Sequence, residues 1–192
     1  SRIKRKDINW ISSHPIAGSE VSGPQNGNEN LFVNKWTVII KQKNLQSLEM
    51  KKIFKFWKFL GSKPVIMDAD QHDKIFAITS HLPHLIAYNL ILTATNFEIS
   101  NKNNVLRFSA GGLRDFSRIA ASNEIMWRDI FFNNKKNMLK VIDNFIKNLK
   151  IFKQDIKSNR KNLETKLKNL KKVRQKIVLL KQDTSKPDFG RV

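Results

Sequence analysis

The segments WTVII, at Trp36 to Ile40, and PVIM, at Pro64 to Met67, decide the fold class of the first third of the chain. Each is apolar, rich in β-branched residues and short enough for a buried strand. Between them, apolar residues recur every three or four positions and stop before Gly61, a suitable helix C-cap. The helix pattern consists of Leu45, Leu48, Ile53, Phe56, Trp57 and Leu60. Strand, helix and strand in this order are typical of an α/β sheet.

These strands predict only part of a sheet. Residues 8–11 form one earlier apolar strand, and three strands with one helix cannot cover both faces of a parallel sheet. Residues 1–70 are therefore expected to be the last part of an α/β sheet that begins upstream. The sequence contains neither GxGxxG nor GxxxxGK[ST], so the phosphate site of a nucleotide is not encoded here.

From Asp70 onward the pattern becomes helical, and residues 71–192 are predicted to form an all-α domain. Asp70, with Asp73 three residues later, is the predicted N-cap, and Pro83 is expected to kink or restart the helix. Apolar residues cover most sides of this helix, which predicts deep burial. A loop is predicted at 96–104, a tight turn at 110–112, and further helices at 125–132, 138–152 and 163–177.

The composition excludes several classes of protein. The chain has 192 residues, enough for a core, and no Cys, which removes disulfides and thiolate sites. Its apolar runs are too short for a membrane helix and no signal peptide is recognisable, which favours a cytoplasmic protein without a membrane partner. Half of the net charge of +20 lies in residues 150–192. We interpret the charged face of the lysine-rich helix predicted at 163–177 as exposed to solvent. Nucleic acid is not the favoured partner.

His14 stands in the first motif that carries chemistry, HPIAGSE. Pro15 restrains the backbone there, and Gly18 permits a turn that presents a side chain at a strand end, where α/β sheets bind ligands. Such a histidine can act as a general base near neutral pH, or it can be a loop residue bonded to backbone. The pattern leaves both interpretations open.

Two more histidines, His81 and His84, lie three residues apart in SHLPH and can share a helix face. This spacing can serve zinc, but no third ligand is evident and we predict no metal site. The open alternatives are a polar pocket lined by one of them, or burial with satisfied hydrogen bonds. His72, next to Asp73, is interpreted as a neighbour of the helix cap.

The third motif is GGLRDFSRIA, from Gly111 to Ala120. Its two glycines allow a ligand to approach the backbone closely, and Arg118 lies one helical turn after Arg114. Arginine suits bidentate recognition of a carboxylate, so the motif suggests an anionic substrate. A surface network of salt bridges that includes Asp115 explains the same residues.

Taken in order, five motifs closely resemble the prephenate and arogenate dehydrogenase family of tyrosine biosynthesis. The motifs are HPIAGSE, the pair His72 and Asp73, SHLPH, GGLRDFSRIA, and IMWRDI at residues 125–130. The resemblance implies the tail of a Rossmann-type sheet followed by an all-α dimerisation domain, similar to the C-terminal domain of 6-phosphogluconate dehydrogenase. It also implies oxidation of prephenate or arogenate by hydride transfer to NAD or NADP, with loss of carbon dioxide, in a homodimer.

The same resemblance assigns roles to single residues. His14 matches the histidine that assists deprotonation of the substrate's ring hydroxyl, and Arg118 matches the arginine that binds a substrate carboxylate. His84 matches a pocket histidine, and Trp127 matches a residue at the entrance that reaches across the dimer. The other positions, at the wall, mouth or entrance of the pocket, are Gly111, Ser19, Glu20 and Asp115.

The sequence also departs from the family pattern. The glycine-rich loop and a serine partner that the family carries upstream are absent, so we expect that the 192-residue chain alone neither binds NAD tightly nor turns over. Asn123 and Glu124 stand where the family often has an acidic or amide residue followed by Pro. The alternative function is a non-catalytic helical dimer that binds an aromatic or carboxylate ligand. The sequence separates neither prephenate from arogenate nor NAD from NADP.

Overall fold

The computed structural model describes residues 9–18, 23–42, 47–102, 104–158 and 162–180. The described residues are mostly helical, with one small sheet near the beginning of the chain. The chain divides into two compact units, residues 1–142 and 143–192. The predicted class, mainly α with a short α/β segment first, is confirmed.

The sheet has three strands in the order β1 (Ser13–Pro15), β2 (Trp36–Ile40) and β3 (Lys63–Met67). The two predicted strands are confirmed as β2 and β3, which pair in parallel. The earlier strand was placed wrongly, because pairing begins at Ser13, and Ile8 lies outside the described residues. β1 runs antiparallel to β2.

Helix α1 (Ser47–Phe59) connects β2 to β3, as predicted; Leu45 of its predicted pattern lies outside the described residues. Gly61 follows with φ +78°, a left-handed conformation that favours glycine. A Cβ atom on Gly61 would also lie 3.1 Å from a methyl carbon of Val33, so glycine is required twice over. Within the sheet, Val38 and Ile39 of β2 are almost fully buried.

Helix α2 (Ala69–Phe76) begins directly after β3. Its N-cap is Asp68, whose carboxylate accepts a hydrogen bond from the Gln71 amide at 2.8 Å. The predicted cap, Asp70, is wrong, because Asp70 is already inside the first turn and pairs with Lys74. The cap moves two residues earlier because Asp68 has the extended backbone that a capping residue needs.

A π-helical turn, Ala77–His81, joins α2 to α3 (Leu82–Asn101). In a regular α-helix, residues nine apart such as His72 and His81 lie about 180° from each other around the axis. The extra residue of a π turn removes about 100° from this separation, which leaves about 80°. The π turn therefore brings His81 toward the side of the helix that carries His72. Pro83 lies in the first turn of α3, as expected for a restarted helix.

Two predictions for the region after α3 are wrong. α3 continues to Asn101 and ends at Lys102 in a left-handed conformation, φ 50°, so residues 96–101 are helix and not loop. Gly111 and Gly112 begin helix α4 (Gly111–Ala120) and do not form a tight turn. The first turn of a helix tolerates glycine because its amides have no partner within the helix.

The remaining helices follow the prediction closely. They are α5 (Glu124–Asn133), α6 (Lys135–Lys157) and α7 (Leu163–Leu179). Asn123 caps α5 by accepting a hydrogen bond from the Met126 amide at 2.8 Å. In the second unit, buried Asp155 of α6 forms an ion pair with Lys166 of α7, while most side chains of α7 are exposed.

The predicted deep burial of the helix after Asp70 is wrong for the single chain. Ala77 and Ala87 are fully buried, but Leu92 is 56% exposed and Phe97 57% exposed. The 33 residues Ala69–Asn101 are long and apolar enough to cross a membrane by length and composition alone, which is weak evidence because core helices pass the same test. We call the exposed side chains of Leu92 and Ile99, which lie two helical turns apart on the same side of the helix, the apolar face of α3.

Candidate active site

The site is centred on His14, on the edge strand β1, and His72, on α2. His14 Nδ1 lies 2.8 Å from His72 Nε2, and His72 Nδ1 lies 2.9 Å from Asp73 Oδ1. The buried ring of Phe76 packs against both imidazoles, at centroid distances of 4.8 Å and 4.6 Å. A chain of hydrogen bonds therefore connects strand β1 of the sheet to helix α2.

Asn134 ties the next histidine to the same helix. Its side-chain amide donates to the Asp73 carbonyl at 2.8 Å and lies 3.3 Å from His81 Nδ1. Asn134 is buried, and its own oxygen accepts a hydrogen bond from Asn137. These contacts hold His81 beside α2 after the π turn.

His84, one turn further along, stacks on the indole of Trp127 at 3.6 Å and 21°. Its Nδ1–H donates to the Ser80 carbonyl at 2.9 Å, which fixes the tautomer and leaves Nε2 as an acceptor. Trp127 is 5% exposed, and its indole nitrogen is buried without a hydrogen bond among the described residues. The Trp127 ring packs against His84 of the same chain, and its reach across a dimer stays a prediction.

Burial makes these imidazoles weaker bases than free histidine. Burial lowers the pKa of His14, and the neighbouring His72 lowers that pKa further. Burial also lowers the pKa of His84. The pKa of His81 is lowered by burial and by the neighbouring His72, while the charge of Asp73 acts to raise it. All three histidines are therefore neutral near pH 7, and a neutral imidazole can accept a proton.

The GGLRDFSRIA residues lie on α4, which packs along α3. Gly111, Asp115 and Arg118 are exposed on this helix, and one helical turn separates Arg114 from Arg118. Ser19 and Glu20, the predicted residues at the pocket mouth, lie outside the described residues. Within the described part of the chain, no three histidines or carboxylates converge on a metal position.

Sequence reasoning missed the contact of His72 with His14, as well as Phe76 and Asn134. His72 was interpreted as a neighbour of the cap, but Asp68 is the cap, which leaves Asp73 available to His72. His14 and His72 are 58 residues apart, so only the packing of β1 against α2 could reveal the pair.

Two domains of one known protein family together match almost all of the described chain. Residues 2–66 match the nucleotide-binding domain of prephenate dehydrogenase, and residues 68–174 match its dimerization domain. The chain belongs to the prephenate dehydrogenase family. Similar proteins include the cyclohexadienyl dehydrogenase of Zymomonas mobilis, 37% identical over 73% of this chain and 48% of that protein. The prephenate dehydrogenase of Lactococcus lactis is 34% identical over 77% of this chain and 41% of its own length.

Solved structures of the family share this fold. A prephenate dehydrogenase from Aquifex aeolicus in complex with hydroxyphenyl propionate and NAD⁺ superposes with a TM-score of 0.82 and 34% identity, over 87% of this chain and 58% of that one. The arogenate dehydrogenase of Synechocystis shares the fold at a TM-score of 0.74 and 24% identity, over 87% of this chain and 61% of that one. The chain spans about half the length of the curated relatives it matches.

Proposed function

We propose that this chain carries the catalytic histidine and the substrate-binding helices of an NAD-dependent prephenate dehydrogenase. The contact of His14 with His72 and Phe76 carries the proposal, because it joins the two segments that match the family's domains. The division falls near residue 70, with a nucleotide-binding part at 1–70 and a helical substrate-binding and dimerisation domain at 71–192. Arogenate is the alternative substrate, and the cytoplasm is the expected location.

In this proposal His14 is the general base. Its lowered pKa keeps the imidazole neutral near pH 7, and its exposed position on the edge strand leaves the ring accessible to a substrate hydroxyl. Bound NAD accepts the hydride from the carbon that carries this hydroxyl. Removal of the hydroxyl proton by His14 stabilises the developing ketone, and loss of carbon dioxide then gives the aromatic product.

Arg118 is the proposed partner of a substrate carboxylate, because guanidinium and carboxylate can form two parallel hydrogen bonds. The exposed first turn of α4 at Gly111 leaves room for a ligand, since a Cβ atom there would meet nothing within 4 Å. His84 and Trp127 provide a flat, buried ring stack suited to the wall of a pocket for a six-membered ring. The family resemblance assigns Ser19 and Glu20 to the pocket mouth and Asp115 to the entrance, and these roles remain part of the proposal.

The described residues fit one end of the cofactor. The parallel strands β2 and β3 end at Ile40 and Met67, and dinucleotides bind at the carboxyl ends of such strands. His14 pairs with Val38 of β2, close to that edge. The described part of the chain has no glycine-rich loop to hold the pyrophosphate, so these residues fit the nicotinamide end only. NAD is preferred to NADP because it is the nucleotide bound to the Aquifex relative.

A homodimer is the proposed assembly, with the apolar face of α3 buried between the two copies. A helix that is apolar on most sides is stable only when buried, either in protein or in a membrane. The match of residues 68–174 to a dimerization domain favours a second copy over a lipid bilayer.

The test is NADH formation by the full-length protein that contains this chain, with prephenate and arogenate supplied separately. We expect activity with at least one, a loss of about 10²- to 10⁴-fold in kcat for His14→Asn, and mainly a higher KM for Arg118→Ala. The Arg118 change should cost about 2–4 kcal/mol in kcat/KM if a buried charge pair is lost. A folded dimer without activity on either substrate, with NADP also supplied, would favour the non-catalytic ligand-binding dimer.

A further inference from the structure

We propose that Asp73 and His72 are positioning residues that hold His14 in the tautomer with Nε2 free to accept the substrate proton. This inference rests on the proposed function of His14. It assigns a role to two residues that sequence reasoning left at a helix cap. A chain of hydrogen bonds runs from the Asp73 carboxylate through His72 to His14 on the sheet.

The carboxylate determines the direction of both hydrogen bonds. An ionised Asp73 can only accept, so the 2.9 Å contact requires a proton on His72 Nδ1. A neutral imidazole carries one N–H, so His72 Nε2 is then an acceptor. The 2.8 Å contact with this atom requires His14 Nδ1 to be the donor. The remaining nitrogen of His14, Nε2, therefore carries the lone pair.

This direction suits the proposed chemistry at every stage. When the substrate hydroxyl gives its proton to Nε2, an O–H bond breaks and an N–H bond forms, and the proton on Nδ1 stays in place. The resulting imidazolium donates to His72, which is itself polarised by the Asp73 carboxylate. No second proton needs to move, as in the serine protease triad, where the aspartate holds the histidine tautomer without becoming protonated.

The packing around the pair keeps the geometry fixed. The His72 side chain is 18% exposed, and the Phe76 ring contacts both imidazoles, which limits rotation of either ring. Among the residues that the structure describes, the charged or titratable groups near His14 are His72 and Asp73 of α2 and His81 of the π turn. Because Asp68 already caps α2, the Asp73 carboxylate is available to His72.

The experiment combines ¹⁵N NMR of the histidines with steady-state kinetics on the full-length protein. In the wild type, His14 should show a protonated Nδ1 and an unprotonated Nε2. Asp73→Asn should mix the tautomers and lower kcat by about 10- to 100-fold, the range seen when orienting partners of metal-bound imidazoles are lost. Asp70→Asn is the matched control, since this exposed carboxylate lies on the same helix and should leave both readouts unchanged.

A second pair of variants separates positioning from folding. His72→Gln keeps an oxygen acceptor near the place of Nε2 and should retain the His14 tautomer and most of kcat, whereas His72→Leu should lose both. Similar thermal midpoints for the two variants would show that folding is not the cause. A protonated Nε2 in the wild type, or an unchanged tautomer in Asp73→Asn, would overturn the inference. A correct tautomer in a protein without dehydrogenase activity would instead overturn only the proposed function.

Discussion

The protonation state of His14 decides what the site can do at the residue scale. Burial and the neighbouring His72 both lower the pKa of His14, so its base form persists below the ordinary value of 6.5. We therefore expect the acid limb of kcat/KM, measured from pH 5 to 8 on the full-length protein, to lie below pH 6.5. His72→Gln removes the imidazole that lowers the pKa of His14, so the limb should move upward. A wild-type limb at or above 6.5 would contradict this prediction.

The sequence predicted His14 and missed its partner for a physical reason. His14 stands in a local motif whose proline and glycine restrict the backbone, and such a signal is visible in seven residues. The role of His72 depends on the antiparallel pairing of β1 and on the N-cap at Asp68, and neither is a property of the residues around position 72. Aspartates at 68, 70 and 73 compete for one cap, and propensity alone does not rank them.

At the scale of single elements, the π turn sets the register between α2 and α3. Inserting one alanine after Ile78, which is 51% exposed, adds a residue that the π turn does not absorb and should rotate the following residues by about 100° relative to His72. His81 would then lose its contact with Asn134, and α3 with α4 would shift relative to His14. We expect at least a 100-fold loss of kcat/KM, because misplacement by about 1 Å can cost this much.

The control for this insertion is Ile78→Ala, which changes a residue at the same place and keeps the register. It should retain activity near the wild-type value. Circular dichroism should show unchanged helix content in both variants. An insertion variant with normal kcat/KM would show that the register between α2 and α3 has no part in building the site.

The apolar face of α3 leads to a prediction about assembly. Burying a Leu or Ile side chain contributes about 1.5–3 kcal/mol, and a charge in its place opposes burial. Leu92→Glu combined with Ile99→Glu should therefore convert a dimer to a monomer in light scattering of the full-length protein. Phe59→Glu, on α1 and 88% exposed, is the matched control and should leave the mass unchanged. A wild-type monomer that binds lipid vesicles would refute the dimer.

Secondary structure was predictable where a local pattern decides it. β2, β3, α1 and α5 follow from apolar periodicity, together with Gly61 for the end of α1. The end of α3 was not predictable, because the asparagine-rich residues from 96 onward favour loops and still fit exposed helical positions. The prediction that α3 is deeply buried was wrong for another reason. Periodicity shows that a surface is apolar, but it does not show what covers that surface.

At the scale of the whole molecule, the histidines link stability to pH. The pKa values of His14, His81 and His84 are lower in the folded chain than the ordinary value of 6.5. The unfolded chain therefore binds protons more readily below pH 6.5, and stability should fall as the pH drops from 6.5 toward the lowered folded values. Above pH 6.5 this contribution is fully present.

Thermal unfolding followed by circular dichroism between pH 8 and pH 5 measures this effect, in a window above the titration of ordinary carboxylates. The midpoint should be level above pH 6.5 and decrease below it. His81→Gln combined with His84→Gln should reduce the decrease, because fewer imidazoles remain to be protonated. An equal decrease in this variant would show that other groups cause it.

The stack of His84 on Trp127 also gives the protein an internal optical probe. An excited indole in van der Waals contact with a charged imidazole transfers an electron to it and loses its fluorescence. Trp127 emission should therefore dim as acid protonates His84, and recover when a ligand separates the two rings. The other three tryptophans, Trp10, Trp36 and Trp57, lie outside this stack and should supply a constant background. Ligand binding at the His84–Trp127 stack can thus be followed by tryptophan fluorescence, without a coupled reaction.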